Sequence, residues 1–358
     1  MNEENQYYRT TLASVAKHAG VSKATASRVL NNVGTATTQT RDRILSAARK
    51  LNYVPNAKFK QLSRLKTGEK LRTGNIGLVL GSESVKGFST HPYYGRLFWG
   101  IEAAASKQDY HLVLSTQNGD YINSALALVY ENKVDGILIA DTTEHDLLPR
   151  IQPHLPVVLV NTISENGNVS SVMPDEAAGV TKALAYLQSL GHSRITFFYI
   201  ADSSIPNVHH ALREKAFREH IVRGTLDSEL ARVVVRPDRE QSLETTLYAQ
   251  LREWQAKNEM PTAIVCAADT YALAFMDAAN RLGLSVPEDL SIIGTDDTVP
   301  CRFVRPGLTS IRQPLEDMGA AGVKLLLERI EDEKSAGAKV TQLFDVDLMV
   351  RESCGPAK

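Results

Sequence analysis

Residues 11–30 read TLASVAKHAGVSKATASRVL and predict two short helices joined by a tight turn. Apolar side chains recur at helical spacing up to Gly20, a residue that tolerates the positive φ at which a helix can end. Thr11 supplies a hydroxyl that can cap the first helix, and Ser22 supplies one that can cap the second. The side chains expected to face inward on that helix are Ala26, Val29 and Leu30. A turn this short crosses the helices steeply, so the second helix can enter a DNA major groove.

The outward side of the second helix is mainly polar, with Lys23, Ala24, Ser27 and Arg28. An Ala-Gly-Val-Ser turn also occurs in ordinary corners between amphipathic helices, so this fragment alone leaves both interpretations open. A third helix is predicted from about Thr38 to Leu51, with Thr37 as its cap. Its expected buried stripe consists of Ile44, Leu45, Ala48 and Leu51. The three helices define a domain over residues 1–54, called the head below.

Charge is distributed unevenly along the 358 residues, whose formal net charge is −1. Residues 1–70 contain 13 Lys and Arg against 4 Asp and Glu, and the remainder contains 27 against 37. Because the excess of positive charge is confined to the patterned head, it indicates a polyanionic partner for that part of the chain.

Several classes of protein are disfavoured by what the sequence lacks. There is no run of 18 apolar residues and no apolar region near the N-terminus, so neither a membrane span nor a secretory signal is expected. The three cysteines, Cys266, Cys301 and Cys354, form no CxxC pair, which favours free thiols in the cytoplasm. No GxSxG, HExxH or Walker loop is present. We therefore predict no catalytic residue, no metal site and no cofactor.

The head resembles the helix-turn-helix of the lactose-repressor (LacI/GalR) family of bacterial transcription regulators. The residues that carry the resemblance are Val15-Ala16, Ala19-Gly20-Val21-Ser22, Thr25, Ser27-Arg28-Val29, Asn31, Thr40-Arg41, Leu51-Asn52-Tyr53 and Pro55-Asn56. The resemblance implies that Lys23, Ala24 and Arg28 read base edges, with Arg28 as the best candidate for a guanine contact. Ser22, Thr25 and Ser27 are expected to contact phosphates. The remaining implied DNA-contacting positions in and after the head are Thr11, Asn31, Tyr53, Asn56, Ala57 and Lys58.

Residues 55–73 are predicted to form a hinge. Pro55 cannot continue the third helix but suits the first turn of another. The segment is short and basic, and an isolated helix of under about 12 residues is unstable in water, so we expect a hinge helix that forms on docking. By resemblance, two such helices lie in the minor groove and Leu62 wedges between base steps; a linker leucine without a role is the alternative. Phe59 departs from the small residue that the family usually has there.

From Gly74 onward, short apolar runs alternate with amphipathic helices, which is typical of an α/β fold. Runs of four to seven apolar residues predict parallel strands covered on both faces. The pattern restarts near residue 174 and therefore predicts two doubly wound sheets, hence two lobes with a cleft between them. This layout resembles the type I periplasmic sugar-binding fold, in which the chain crosses three times between lobes. The implied bounds are about 74–173 and 315–336 for lobe one, and 174–311 and 337–358 for lobe two, with a last strand near 342–350 in lobe two.

Ligands of such folds bind beyond the carboxyl ends of the strands. Asp296 follows the strand predicted at 291–294, and its carboxylate can accept hydroxyl or N–H donors. The resemblance assigns effector contacts to Asp296 and to Arg213, whose planar donor fork can hold two adjacent oxygens. An ion pair between the lobes or at the surface is the alternative for both residues.

Two tyrosines after the first strand, Tyr93 and Tyr94, can cover the apolar face of a sugar or pack in the core. A looser match to cleft positions adds Asp141, Asn161, Asn207, His209 and Gln313. Asp269 also follows a strand, with helix capping as its other possible role. Two departures from the family affect the cleft: Pro174-Asp175 stands where Asp-Asn is frequent, and no large aromatic residue occurs near Pro237.

The sequence thus predicts a cytoplasmic, ligand-responsive repressor of carbohydrate-related genes. It is expected to bind pseudo-palindromic double-stranded operator DNA as a homodimer or a higher assembly, because one helix-turn-helix reads few bases. By resemblance, the effector is a sugar or sugar derivative, with purines as a known exception. A phosphate-binding Gly-rich loop is absent, so a phosphorylated effector has no specific support. The rival hypotheses are a solute-binding protein of transport, which the basic head opposes, and an enzyme on an α/β scaffold.

Overall fold

The computed structural model describes residues 10–30, 36–53, 72–80, 92–115, 121–140, 147–164, 168–201, 207–237, 242–331 and 339–358. The chain divides into two compact units, Met1–Arg72 and Thr73–Lys358. In the described part of the chain, no helix is long and apolar enough to cross a membrane. The predicted hinge at 55–73, Leu62 included, lies outside the described residues except for Arg72 and Thr73.

The described residues of the head form three helices: α1 (Leu12–His18), α2 (Lys23–Leu30) and α3 (Thr38–Lys50). Each begins after a hydroxyl that accepts a hydrogen bond from the backbone N–H three residues further on. The three pairs are Thr11 with Ser14 N (3.2 Å), Ser22 with Thr25 N (3.0 Å) and Thr37 with Thr40 N (3.3 Å). Gly20 has a φ of +63° in the turn between α1 and α2, as its position predicts. The predicted turn and caps are therefore confirmed.

The core of the head consists of small and branched apolar side chains: Val15, Ala16, Ala19, Ala26, Val29, Ile44, Ala47 and Ala48. The predicted stripe on α3 is partly wrong, because Leu45 and Leu51 are half-buried and Ala47 is buried instead. Leu30 is also half-buried. Arg43 donates to Ala19 O and thereby ties α3 to the turn after α1.

The body of the chain alternates strands and helices, as its sequence pattern predicts. The elements up to the first crossing between lobes are β1 (Asn75–Leu80), α4 (Pro92–Lys107), β2 (His111–Ser115), α5 (Tyr121–Tyr130), β3 (Gly136–Ala140), α6 (Leu148–Ile151), β4 (Val157–Val160) and β5 (Ser170–Pro174). The next are α7 (Glu176–Ser189), β6 (Ile195–Ala201), α8 (Val208–Val222), β7 (Arg232–Pro237), α9 (Leu243–Lys257), β8 (Ala263–Cys266), α10 (Asp269–Arg281), β9 (Ser291–Thr295) and β10 (Thr309–Arg312), with a 3-10 turn at Val299–Arg302 between the last two strands. The last are α11 (Leu315–Glu331), β11 (Thr341–Phe344) and β12 (Asp347–Met349).

In the part of the body that the structure describes, two six-stranded sheets form the centres of the two lobes. The first has the order β11-β5-β4-β3-β1-β2 and is parallel throughout. The second has the order β12-β10-β9-β8-β6-β7, in which β12 alone runs antiparallel to its neighbour. Helix α11 packs on α4 and on the first sheet. The chain therefore crosses between the lobes three times, after β5, after β10 and after β11, and the two-lobed α/β prediction is confirmed.

The prediction for the end of the chain needs correction. The sequence predicts one strand near 342–350 in the second lobe, but β11 pairs with β5 in the first sheet and β12 pairs with β10 in the second. The chain passes from the first sheet to the second between β11 and β12. At this point Lys182 Nζ donates to Asp345 Oδ1 at 2.7 Å, and Val346 is buried in the core of the second lobe. Strands β5 and β10 were also not predicted, since both carry polar residues at buried positions.

Helices α4 and α11 approach each other backbone to backbone in the first lobe. A Cβ atom at Gly100 would lie 2.2 Å from Glu316 O, and one at Gly319 would lie 2.7 Å from Leu97 O. Both distances are shorter than van der Waals contact, so these two positions require glycine for steric reasons.

We expect Gly100→Ala to lower the free energy of unfolding by about 1–3 kcal/mol, because the added methyl forces α4 and α11 apart. The matched control is Gly95→Ala on the exposed side of α4, where a Cβ would meet no described atom within 4 Å. That variant should be neutral or more stable by up to about 1 kcal/mol, since alanine favours helix. Urea denaturation of both variants measures the difference, and equal destabilisation would contradict the close-approach explanation.

Candidate functional site

The exposed face of α2 carries the side chains that the sequence predicts to read bases. Lys23, Ala24 and Arg28 are exposed, whereas Ala26 and Val29 are buried against the rest of the head. The predicted division of this helix into an inner and an outer face is therefore confirmed for those residues. An exposed face with basic side chains on a short, rigidly held helix is suited to contact a nucleic-acid groove.

The predicted phosphate-contacting hydroxyls lie at the start of the same helix. Ser22 is exposed, and Thr25 and Ser27 are half-buried. Ser22 Oγ lies 2.8 Å from Thr25 Oγ1 as well as capping the helix, so both hydroxyls also have a structural role. Thr11 is likewise exposed and caps α1. Tyr53 packs half-buried against the core of the head. The predicted DNA-contacting residues outside the described ranges are Asn31, Asn56, Ala57, Lys58 and Leu62.

A line of hydrogen bonds joins the two lobes through three of the predicted cleft residues. Tyr93, in the first turn of α4, donates its hydroxyl to Gln313 Oε1 at 2.8 Å. Gln313 Nε2 in turn donates to Asp296 Oδ1 at 3.3 Å. Gln313 is fully buried and Asp296 nearly so. The structure therefore brings these three residues together at the carboxyl ends of the strands of the second sheet.

The backbone at Asp296 is strained, with a φ of +115°, and Asp297 follows with a φ of +48°. A positive φ is unfavourable for residues other than glycine, and it costs of order 1–3 kcal/mol at each of these two aspartates. Such conformations persist where the surrounding contacts determine them, and they are frequent at ligand sites. The two carboxylates have different partners, since Asp296 accepts from Gln313 and Asp297 accepts from Arg312.

A buried ion pair lies at the same junction and involves one residue that the sequence did not reveal. Glu176, the first residue of α7, accepts bonds from Arg213 Nε at 2.5 Å and from Arg213 Nη2 at 2.9 Å. His209 Nδ1 lies 2.7 Å from the same carboxylate, and His209 Nε2 lies 3.0 Å from Asn161 O. The exposed fractions of Glu176, His209 and Arg213 are 7%, 5% and 4%. Because Asn161 follows β4 of the first sheet, this cluster also joins the two lobes.

The charges of this cluster determine the protonation of its members. Burial acts to raise the pKa of Glu176, but Arg213 and His209 outweigh it and lower that pKa to about 2. Burial acts to lower the pKa of Arg213, but the carboxylates of Glu176 and Asp296 raise it above its usual value. Burial, followed by the charges of Arg213 and His209, lowers the pKa of the neighbouring His210 to about 3. Glu176 is thus a carboxylate and His210 is uncharged at neutral pH.

Arg213 therefore adopts the alternative arrangement considered for it, an ion pair. Its third nitrogen, Nη1, donates to Ala267 O at 2.5 Å, so each of the three guanidinium nitrogens donates to an acceptor of the chain. The glutamate partner was missed because an acid just after the capping Asp175 looks like an ordinary first-turn residue in sequence.

The other predicted cleft residues have different positions. Asn207 caps α8 by accepting from His209 N and His210 N, which is a structural role. Asp269 is fully buried and accepts from Thr298, Cys301 and Ser310, so it holds the end of the second sheet together. Tyr94 is half-buried, and its ring centroid lies 5.3 Å from that of Tyr93. Asn161 is 1% exposed with a φ of +57°. Asp141 lies outside the described residues.

Beside Asp296, a cavity of about 250 Å³ is surrounded by charged groups. Its lining residues are Tyr93, Arg96, Asp296, Asp297, Thr298, Val299, Arg302, Arg312 and Glu316. Asp297 is buried and contacts Arg351, Arg312 at 2.9 Å and Arg302 at 3.5 Å. Arg96 makes two bonds of 2.8 Å to Glu316. None of these pairings was predicted, since ion pairing between distant segments leaves no local sequence pattern.

Two family models match the chain. The model for bacterial regulatory proteins of the lacI family matches residues 11–56, and a periplasmic binding protein-like domain matches residues 184–354. The chain is 30% identical over 337 residues to catabolite control protein A of Priestia megaterium, covering 93% of this chain and 96% of that protein. It is 32% identical over 358 residues to the HTH-type transcriptional repressor PurR of Pasteurella multocida (strain Pm70), covering 96% and 98%.

A solved structure is similar over the same length. The transcriptional regulator CelR in complex with cellobiose has 29% sequence identity and a TM-score of 0.66, and the match covers 96% of this chain and 100% of that chain. The relatives named here are regulators of transcription or carry the names of such regulators, and none is named as an enzyme.

We expect Asp297→Asn to lower the free energy of unfolding by about 3–5 kcal/mol, because it leaves Arg312 and Arg351 without their shared buried counter-ion. The matched control is Asp289→Asn, which removes the exposed partner of Lys358 and should change stability little. Thermal and urea unfolding of both variants measures the effect. If both variants lost the same free energy of unfolding, the arginine cluster would not depend on Asp297.

Proposed function

Because the chain belongs to the LacI family of bacterial regulatory proteins, we propose that this DNA-binding transcription regulator represses carbohydrate-related genes and is controlled by a small molecule bound between its two lobes. The observation that carries the DNA-binding part is the outer face of α2, where Lys23, Ala24 and Arg28 are exposed while the opposite side is buried. Since its DNA partner lies in the bacterial cytoplasm, we also propose that the protein acts there.

On DNA, α2 would lie in the major groove with Arg28 donating to a guanine, and Lys23 and Ala24 reading neighbouring bases. Ser22, Thr25 and Ser27 would contact phosphates at the start of the helix. The 13 Lys and Arg of residues 1–70 would supply a salt-dependent affinity for any duplex. In the proposed hinge at 55–73, Leu62 would wedge between base steps in the minor groove.

The proposed assembly is a homodimer on a pseudo-palindromic operator. A single helix-turn-helix contacts few base pairs, so two heads are needed for a site that is specific within a genome. The body of the chain would supply the contacts between the two copies.

The proposed effector is a sugar or sugar derivative in the cleft near Asp296, Gln313 and Tyr93. In support, the similar CelR structure is a complex with cellobiose, and the bonds from Tyr93 through Gln313 to Asp296 connect the lobes at the carboxyl ends of the strands. A ligand that contacts Asp296 would favour one arrangement of the lobes over another. A coupling of about 1–3 kcal/mol between effector and DNA changes affinity roughly 5- to 150-fold.

We expect Arg28→Ala to remove most of the preference for the operator while weak, salt-sensitive binding to any duplex remains. The lost guanine contact is worth roughly 1–3 kcal/mol of discrimination. The operator is first selected from a random duplex library, and fluorescence anisotropy then compares it with a scrambled duplex at two salt concentrations. Arg49→Ala, an exposed arginine of α3, serves as the control and should leave the ratio of the two affinities unchanged. Retained preference in Arg28→Ala removes Arg28 from base reading.

We expect Asp296→Asn to weaken effector binding roughly 10- to 150-fold, because a hydrogen bond to a charged group is lost from a nearly buried site. Asparagine also tolerates the positive φ found at this position. The measurement is calorimetry with cellobiose, or with the sugar that gives the largest shift in a thermal screen. DNA affinity without effector should stay unchanged, and an unaltered sugar affinity would place the effector elsewhere.

A further inference from the structure

The carboxylate of Glu176 occupies the donor edge of Arg213 that would otherwise be offered to a ligand. Two of the three guanidinium nitrogens donate to Glu176, and the third donates to Ala267 O. The paired edge, formed by Nε and Nη2, is the one that binds carboxylates and phosphates in a bidentate manner. An anionic ligand would therefore have to compete with a carboxylate that belongs to the chain itself.

The cluster offers no net positive charge that would offset the cost of burying an anion. Glu176 and Arg213 cancel, and Asp296 adds a negative charge close enough to act on the pKa of Arg213. Glu176, Arg213 and Asp296 together carry one net negative charge. Displacing Glu176 would also leave a carboxylate that is 7% exposed without its partner, which is strongly unfavourable.

The guanidinium groups around the neighbouring cavity are also engaged by carboxylates. Arg96 makes a bidentate pair with Glu316. Arg302 and Arg312 both contact Asp297. The cavity lining contains three guanidinium groups and three carboxylates, so the lining itself carries no net positive charge, although Asp297 is also shared with Arg351 outside it.

One buried acceptor indicates what kind of group does suit this junction. Asn161 Oδ1 is buried and has no hydrogen-bond partner among the described residues. A buried acceptor without a donor is unfavourable, so it favours a ligand with hydroxyl groups. A carboxylate acceptor at Asp296 favours the same class of ligand.

We propose that Glu176 is a specificity-determining residue that makes the cleft select uncharged, hydroxyl-rich ligands and reject their phosphate esters and acids. This inference rests on the proposed function in so far as it takes the junction of the lobes to be the effector site. It goes beyond that function by assigning the charge class of the ligand and the residue responsible.

The first test uses inorganic phosphate as the anion probe, with the full-length chain at constant ionic strength. Glu176→Gln keeps the shape of the side chain but removes its charge, and it should raise phosphate affinity in calorimetry about tenfold or more over wild type. Glu219→Gln is the matched control, since Glu219 forms an exposed pair with Arg223 on α8, and it should change nothing. The gain should vanish in the double variant Glu176→Gln/Arg213→Gln. Equal phosphate affinity in wild type and Glu176→Gln overturns the proposal.

The second test needs no variant and decides the matter if Glu176→Gln does not fold. Neutral sugars, including glucose and cellobiose, are compared with their phosphate esters in thermal-shift titrations of the wild-type chain. No ester should bind as tightly as its parent sugar, and one that binds more tightly overturns the proposal. If no sugar binds at all but Glu176→Gln gains phosphate affinity, the sugar effector fails while the role of Glu176 stands. If the wild-type chain showed no preference for any operator, that result would count against the proposed function and not against the role of Glu176.

Discussion

A carboxylate and a guanidinium can be buried together only when each satisfies the other, and the pair formed by Glu176 and Arg213 imposes this condition at the junction of the lobes. The pair fixes the start of α7 against α8 and, through Ala267 O, against the end of β8. His209 extends the contact to Asn161 in the first lobe. This connection between the lobes is therefore organised around the carboxylate of Glu176, which binds both Arg213 and His209.

The second connection between the lobes, from Tyr93 through Gln313 to Asp296, is of a different kind. It has a single ionised member and includes a long bond of 3.3 Å, so it is weaker than the paired charges beside it. A protein that responds to a ligand needs one contact that holds its parts in register and another that a ligand can alter. The two clusters have the properties suited to these separate tasks.

The sequence predicted those features of the molecule that arise from local pattern. Helical periodicity and turn chemistry located α1, α2 and their caps, and short apolar runs located most strands of both sheets. Strand β5 was missed because Ser170 and Ser171 are polar. The crossing from the first sheet to the second after β11 was missed because it depends on the contact of Asp345 with Lys182, which is distant in sequence. The pairing of side chains in the cleft likewise depends on tertiary structure. Asp296 was predicted from its position after a strand and Gln313 from a looser match to cleft positions, whereas nothing local distinguishes Glu176 from a solvated first-turn acid.

The three helices of the head all begin with uncharged hydroxyl caps, and none of them has an acidic residue in its first turn. Aspartate would satisfy the same backbone N–H groups, and it would also interact well with the helix dipole. Serine and threonine meet the structural need without adding negative charge to a small domain. The approach of this domain to a polyanion thus meets no repulsion from its own helix starts, and the three caps themselves use no ionisable group that salt would screen or acid would protonate.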